Sequence, residues 1–206
     1  MTGIFGLTRR HVLAALLALA AAPVTLAADK LVVVKVLSFS CNVCKASESQ
    51  DGFIRGALRA HGGEFVPAPI PMSSQNYSRE LAYYAARRQG GEIEPKVRAS
   101  LYQGAQDYGY PLSNDVQVLD WLRFDLDEAL DHERLAKELR SPETEAAMKR
   151  AVRLALSAGA QSLPTYVLLE GSHIVQTFDP SMAGNPPSLT VLRTQVVQAI
   201  NERAKR

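Results

Sequence analysis

Apolar positions from Leu31 to Phe39 run almost unbroken in "LVVVKVLSF", β-branched at the start and interrupted only by Lys35 and Ser38. A short run of that kind predicts a strand buried on both faces. The pattern turns polar at "SCNVC" and then suits a helix from Cys41 to Ala60, which Gly62 and Gly63 can stop. Glu64 to Met72, "EFVPAPIPM", reads as a second short strand whose three prolines assign it to a sheet edge or a strand end. From Ser78 to about Ala158 the period becomes helical. Ser78 is placed to cap "RELAYYAARRQ", Pro95 to open "KVRASLYQGAQDYG" and Asn114 to cap "DVQVLDWLRF"; "LDEALDHERLAKEL" has helical spacing, and Ser141-Pro142-Glu143 starts a run to Ser157. Two apolar runs around Glu170-Gly171, between Pro164 and Phe178, predict a hairpin. Asp179 to Ser188 reads as a loop, and the segment from Leu189 onward has the spacing of an amphipathic terminal helix. Strand, helix, strand, helical block, hairpin and helix make an α/β protein, with residues 78–158 an inserted helical subdomain between 29–77 and 159–206.

The segment ahead of the first strand has a different character. Thr8-Arg9-Arg10 is positive, Val12 to Ala22 is uncharged and apolar, and Pro23 precedes small residues at Thr25, Ala27 and Ala28. Residues 1–28 are therefore expected to be an export signal cleaved near Ala27 or Ala28. The apolar run is short for a bilayer, which takes about 20 residues, and Pro23 interrupts it. "TRRHVL" resembles a twin-arginine signal loosely, and general secretion is the preferred route. A periplasmic location follows as the expectation.

The 206 residues are 47% apolar and 21% charged, a balance that supports a packed core and excludes a disordered chain. Of the 23 basic and 21 acidic side chains, Arg9 and Arg10 fall in the leader and no acid does, so the mature chain carries 21 of each. With no net charge and no basic stripe interleaved with aromatics, nucleic acid is not an expected partner. The final "RAKR" reads as a solvated end.

Cys41 and Cys44 are the only cysteines. An oxidising compartment lets a disulfide persist, but a bond closing so short a loop constrains the unfolded chain little. Chemistry is the better reason for the pair. Cys41 stands where a strand ends and a helix begins, where free N–H groups and the helix dipole favour a thiolate. Cys44, one turn on, can resolve a mixed disulfide at Cys41, which is thiol–disulfide exchange. The alternatives are an inert pair or half of a zinc site, but a zinc site needs further ligands, and His61, His132 and His173 stand apart without paired spacing.

"SFSCNVC" after a buried strand, the helical block and "GAQSLPTYVLLEG" together resemble the DsbA-like branch of the thioredoxin superfamily, over essentially all of the chain from Leu31 onward. The resemblance implies a thioredoxin-like fold with the helical insertion, and a redox-active Cys41–Cys44 disulfide in place of any separate cofactor. It implies that Pro164 is a cis proline facing the cysteines, and that Leu163 before it offers backbone groups to an extended substrate. It further implies cysteine-containing exported proteins as substrates, an apolar groove to receive them, and a membrane-bound quinone-linked thiol oxidase as the partner that recharges the pair.

Two positions depart from the family pattern. Strong oxidants of the family often carry a histidine just before the second cysteine, whereas the dipeptide here is the uncharged Asn42-Val43. Lys35, six residues before Cys41, occupies a place where many relatives have a buried acid. Strand alternation puts Val33, Lys35, Leu37 and Phe39 on one face. Lys35 either snorkels to solvent or lies buried, where it replaces the acid in moving protons for Cys44. Oxidant is the preferred direction. A reductase or isomerase running the same chemistry backwards, and a non-catalytic binding or assembly module, remain open. The few residues between the signal and the first strand leave little room for an isomerase's dimerisation domain, so a monomer is expected. Tyr83, Tyr84, Tyr102 and Trp121 read as core aromatics, His61 as a helix-end residue, and "DLDEALDHE" as a solvated acidic face without a calcium loop's spacing.

Overall fold

The computed structural model describes residues 30–72, 76–184 and 187–205; the expected export signal lies outside them. Strand β1 (Leu31–Leu37) leads through helix α1 (Asn42–Ala60) to β2 (Glu64–Pro69), which returns parallel to β1. Helices α2 (Ser78–Arg87), α3 (Ile93–Tyr102), α4 (Asp115–Leu126), α5 (His132–Glu138) and α6 (Pro142–Ser157) follow. The antiparallel hairpin of β3 (Thr165–Glu170) and β4 (His173–Phe178) and the terminal helix α7 (Leu189–Arg203) complete the chain. The sheet order is β2-β1-β3-β4, with β3 antiparallel to β1. Helices inserted between the parallel unit and the hairpin make this a thioredoxin-like fold with a helical insertion.

Each face of the sheet has its own layer. Val33, Phe65, Tyr166 and Leu168 pack with Ile54 and Leu58 of α1 and with Leu192, Val196 and Ile200 of α7. Val34, Val36, Ala68 and Val167 pack with the insert, through Leu81, Ala85, Val97, Leu101 and Met148 among others. The insert therefore shares a core with the sheet. β2 sits at an edge, where Pro67 and Pro69 do not interrupt a central ladder. Helix α1 buries Cys44, Ser47, Asp51, Ile54 and Leu58, spaced three and four apart as one face of a helix requires. It ends at Gly62, whose φ of 68° suits the left-handed residue that closes a helix.

The boundaries differ from the sequence reading in several places, β2 ending at Pro69 rather than Met72 and the run from Leu126 to Leu139 dividing into a 3-10 turn, Asp127–Ala129, and α5 among them. β1 stops at Leu37, so the alternation from Val33 does not reach Phe39, which packs edge-on to Tyr102 at 5.1 Å in the cluster of the insert. Ser78 is not a cap: Tyr77 holds that place, and the Ser78 hydroxyl donates to Asp115 at 2.6 Å, joining α2 to α4. Helix α3 begins two residues before Pro95 and runs into a π-helical turn, Gln103–Asp107. The loop from Asp179 contains a short 3-10 turn, Pro180–Ala183. Asn114 and Ser141 do cap α4 and α6, accepting from the N–H groups of Gln117 and Thr144. Among the described residues no helix is long and apolar enough to cross a membrane.

The π-helical turn lies against Trp121. The Trp121 Nε1–H points inward to the carbonyl and hydroxyl of Ser100, both at 3.0 Å, and a Cβ at Gly104 would stand 2.7 Å from the indole. Gly104→Ala is expected to cost about 1–3 kcal/mol through this overpacking, measured as a lower urea midpoint with an unchanged m-value.

Candidate active site

Cys41 is the N-cap of α1, with extended backbone, and its Sγ accepts the N–H of Cys44 at 3.1 Å. The two cysteines are joined in a disulfide, their Cα atoms 5.2 Å apart. Cys44 is fully buried on the inner face of the first turn, and Cys41 is half-buried. The geometry makes Cys41 the accessible sulfur and Cys44 the protected one. Asn42 and Val43 between them point outward, Val43 being 40% exposed. The first turn contains no acid to oppose a negative sulfur.

The Leu163–Pro164 peptide is cis, and the Leu163 carbonyl oxygen lies 3.6 Å from the Cys41 Sγ. Cys41, Leu163 and Ser162 border a hollow of about 370 Å³ whose wall continues through Ile70, Pro71 and Met72. A sulfur, a free edge of backbone and an apolar trough thus meet at one place. The elements that bring them together are distant in sequence: the β1–α1 junction, the chain after β2 and the approach to β3.

Beneath the pair lies a buried ionic cluster. Lys35 is wholly buried and does not snorkel; its Nζ donates to Glu48 at 2.6 Å and to both oxygens of Asp51 at 2.9 and 3.1 Å. Cys44, Glu48 and Asp51 stand at i, i+4 and i+7 on α1, so the carboxylates occupy the turns directly below the buried sulfur. The strand supplies a base here, and the acids come from the facing helix. Glu48 also pairs with Arg98 of α3, which bonds to Glu94 at 2.7 Å. Glu94 and the Pro67 carbonyl each lie 3.1 Å from the Tyr83 hydroxyl, and the Tyr166 hydroxyl donates to Asp51 at 3.3 Å. Burial lowers the Lys35 amine to about 8 against the attraction of Asp51, and burial likewise raises the Asp51 carboxyl. Both shifts ease proton exchange between them.

The sequence reading missed Glu48, Asp51 and Arg98. The signal for the first two was present: a polar strip at three- and four-residue spacing from Cys44, on the face that must be buried. Gln106 was missed as well. Its Nε2 donates to the carbonyls of Phe39 at 2.8 Å and Cys41 at 3.3 Å, fixing the strand–helix junction from the insert. A π-helical turn, which redirects side chains and recurs at functional sites, carries Gln106 and is not legible in composition. Lys45 pairs with Asp107 across the same seam. Among the described residues no group of three or more His, Cys, Asp or Glu is arranged to hold a metal ion.

No family model matches the chain, and neither does any curated protein. Solved structures do. DsbA of Pseudomonas aeruginosa matches with a TM-score of 0.67 at 18% identity, over 86% of this chain and 88% of that one. The chain has the DsbA fold. The oxidoreductase NmDsbA1 of Neisseria meningitidis matches at 0.64 and 13% identity, over 86% and 87% of the two chains. SrgA of Salmonella enterica serovar Typhimurium matches at 0.64 and 15%, over 84% and 91%. Coverage on both sides shows that the DsbA fold accounts for the insert as well as the sheet.

Replacing Lys35 tests the cluster. Lys35→Met leaves Asp51 buried without its cation and is expected to cost about 3 kcal/mol near pH 7, a deficit that shrinks towards acid pH as Asp51 takes up a proton. The wild-type amine titrates at about 8 and a free lysine at 10.5, so between these values the unfolded chain binds more protons. Wild-type stability therefore gains with rising pH across that window relative to Lys35→Met, readable by urea titration at several pH values. The substitution is also expected to raise the thiol pKa of Cys44. An unchanged Cys44 titration and an unchanged exchange rate would remove Lys35 from the redox machinery.

Proposed function

We propose that the protein is an exported thiol–disulfide oxidoreductase that donates its Cys41–Cys44 disulfide to cysteine pairs of exported proteins. The observation that carries this reading is the disulfide at the N-terminus of α1, with the half-buried Cys41 beside the Leu163 carbonyl and the cis Leu163–Pro164 bond. A substrate thiolate attacks the Cys41 sulfur, forming a mixed disulfide while the Cys41–Cys44 bond breaks. The electron pair leaves on the Cys44 sulfur, which takes up a proton. A second substrate thiolate attacks the substrate sulfur of the mixed disulfide and releases Cys41. Two electrons pass to the pair, and the substrate keeps a disulfide.

What the helix stabilises supports the oxidant direction. In the reduced protein a Cys41 thiolate keeps the Cys44 N–H, 3.1 Å from its sulfur here, and the positive end of α1. Stabilising the reduced form makes the disulfide the stronger oxidant. The trough along Ile70, Pro71 and Met72 suits an apolar side chain of an unfolded substrate. The reading takes residues 1–28 as the export signal, the periplasm as the location, and a membrane-bound quinone-linked thiol oxidase as the partner that reoxidises the pair. A single chain suffices, and the pair itself is the redox centre.

Equilibration of the mature protein with glutathione buffers tests this. The expected reduction potential lies near the roughly −120 mV of a strong oxidant, and a value near −270 mV would assign the opposite direction. Cys41→Ser is expected to abolish oxidation of reduced peptides. A Cys41→Ser protein that restores a deletion phenotype would replace the enzyme with a binding module.

A further inference from the structure

A second hollow, of about 540 Å³, opens on the insert and is lined by Tyr108, Tyr110, Asp120, Trp121 and Phe124. Three rings surround the indole, with centroids 5.5, 5.7 and 5.9 Å from it and planes tilted by 35–46°. Tyr108 and Phe124 are 66% and 79% exposed, a costly display of aromatic surface unless something covers it. The lining contains no aliphatic side chain. The indole N–H points the other way, into Ser100, so its positive edge is not offered to the hollow.

The electrostatics of the hollow have one sign. Aromatic faces carry negative potential and attract cations. Asp120 stands on the same side of α4 as Trp121 and Phe124 and makes no ion pair among the described residues, whereas Asp107, which precedes Tyr108 in the chain, is taken by Lys45. A long basic side chain meets both demands, laying its methylenes on the rings and its charge against the carboxylate.

The position selects the occupant. Gln106 touches the Cys41 carbonyl, and Tyr108 follows two residues later. An extended chain bound at Cys41 gains about 3.3–3.6 Å with each residue towards this segment. We propose that this hollow binds a lysine or arginine side chain of the same polypeptide whose cysteine reacts at Cys41, giving the protein a preference for basic residues near that cysteine. The proposal rests on the exchange activity proposed above, and its test separates the two.

Reduced peptides that differ at one position, carrying Lys, Met or Glu at successive distances from the cysteine, are oxidised by the full mature protein. At one spacing the Lys peptide is expected to exceed the Met peptide in kcat/KM by about three- to fivefold, with Glu slowest, and the advantage to shrink at high salt. Asp120→Asn and Phe124→Ala, both at exposed positions, are expected to abolish the preference for Lys over Met, read as the ratio of the two rates in each variant. Trp121 is the only tryptophan, so its emission reports occupancy directly: a cysteine-free Lys peptide is expected to shift it, and Asp120→Asn to remove the shift. Equal rates for Lys and Met at every spacing, or a faster Met peptide, would overturn the basic-residue site and leave the oxidoreductase standing. A protein that oxidises no peptide but whose Trp121 responds to the Lys peptide keeps the site and loses the enzyme; with neither response, both fail.

Discussion

A lysine ammonium held between two carboxylates under the cysteine pair is the interaction on which the arrangement turns. Lys35 comes from the central strand, Glu48 and Asp51 from the helix that carries the cysteines, and Glu48 continues through Arg98 into the insert. Burying a charge in the middle of an apolar layer is costly unless every partner is in place. The cluster therefore fixes the rotation of α1 about its axis, because only one orientation brings both acids to Lys35. That rotation also sets which cysteine faces out. The same network spans the sheet and the inserted helices, so the two halves of the chain are coupled where the chemistry happens.

The redox pair is framed by groups from elsewhere in the chain. The helix supplies N–H groups and a dipole, the approach to β3 supplies the Leu163 carbonyl, and the insert reaches over with Gln106 to hold the backbone of Cys41. Each frame limits a different freedom: the helix favours charge on one sulfur, the cis Leu163–Pro164 segment places a backbone edge beside it, and the π-helical turn keeps the junction between strand and helix from drifting. The apolar trough adds contact area without direction.

Much of this was legible in the chain itself. The continuous apolar run of β1, the capping residues Asn114 and Ser141, the edge position of the proline-bearing β2 and the hairpin around Gly171 follow from local rules that tertiary structure did not override. The cysteine pair is a sequence-local feature, and so was readable. Ser78 shows where such rules fail: a serine at a helix start suits a cap, but its hydroxyl finds a better acceptor in Asp115, far away in sequence. Arg98 and Gln106 were invisible for the same reason, since their roles depend on which helix faces which. Trp121 was read as core and is buried, yet Tyr108 and Phe124 beside it stay in solvent, a distinction that helical spacing does not make.

The two rims of the sheet are unlike each other. Along β2, Pro67 and Pro69 have no N–H to give, so an approaching strand finds gaps in the ladder of donors. Along β4, from His173 to Phe178, no proline interrupts the backbone and Ile174 lies partly in solvent. The sheet is thus sealed on the side next to the insert and open on the side of the hairpin. Any extension of the sheet by a further strand has one direction in which to grow, and it leads away from β1 and the cysteines that follow it.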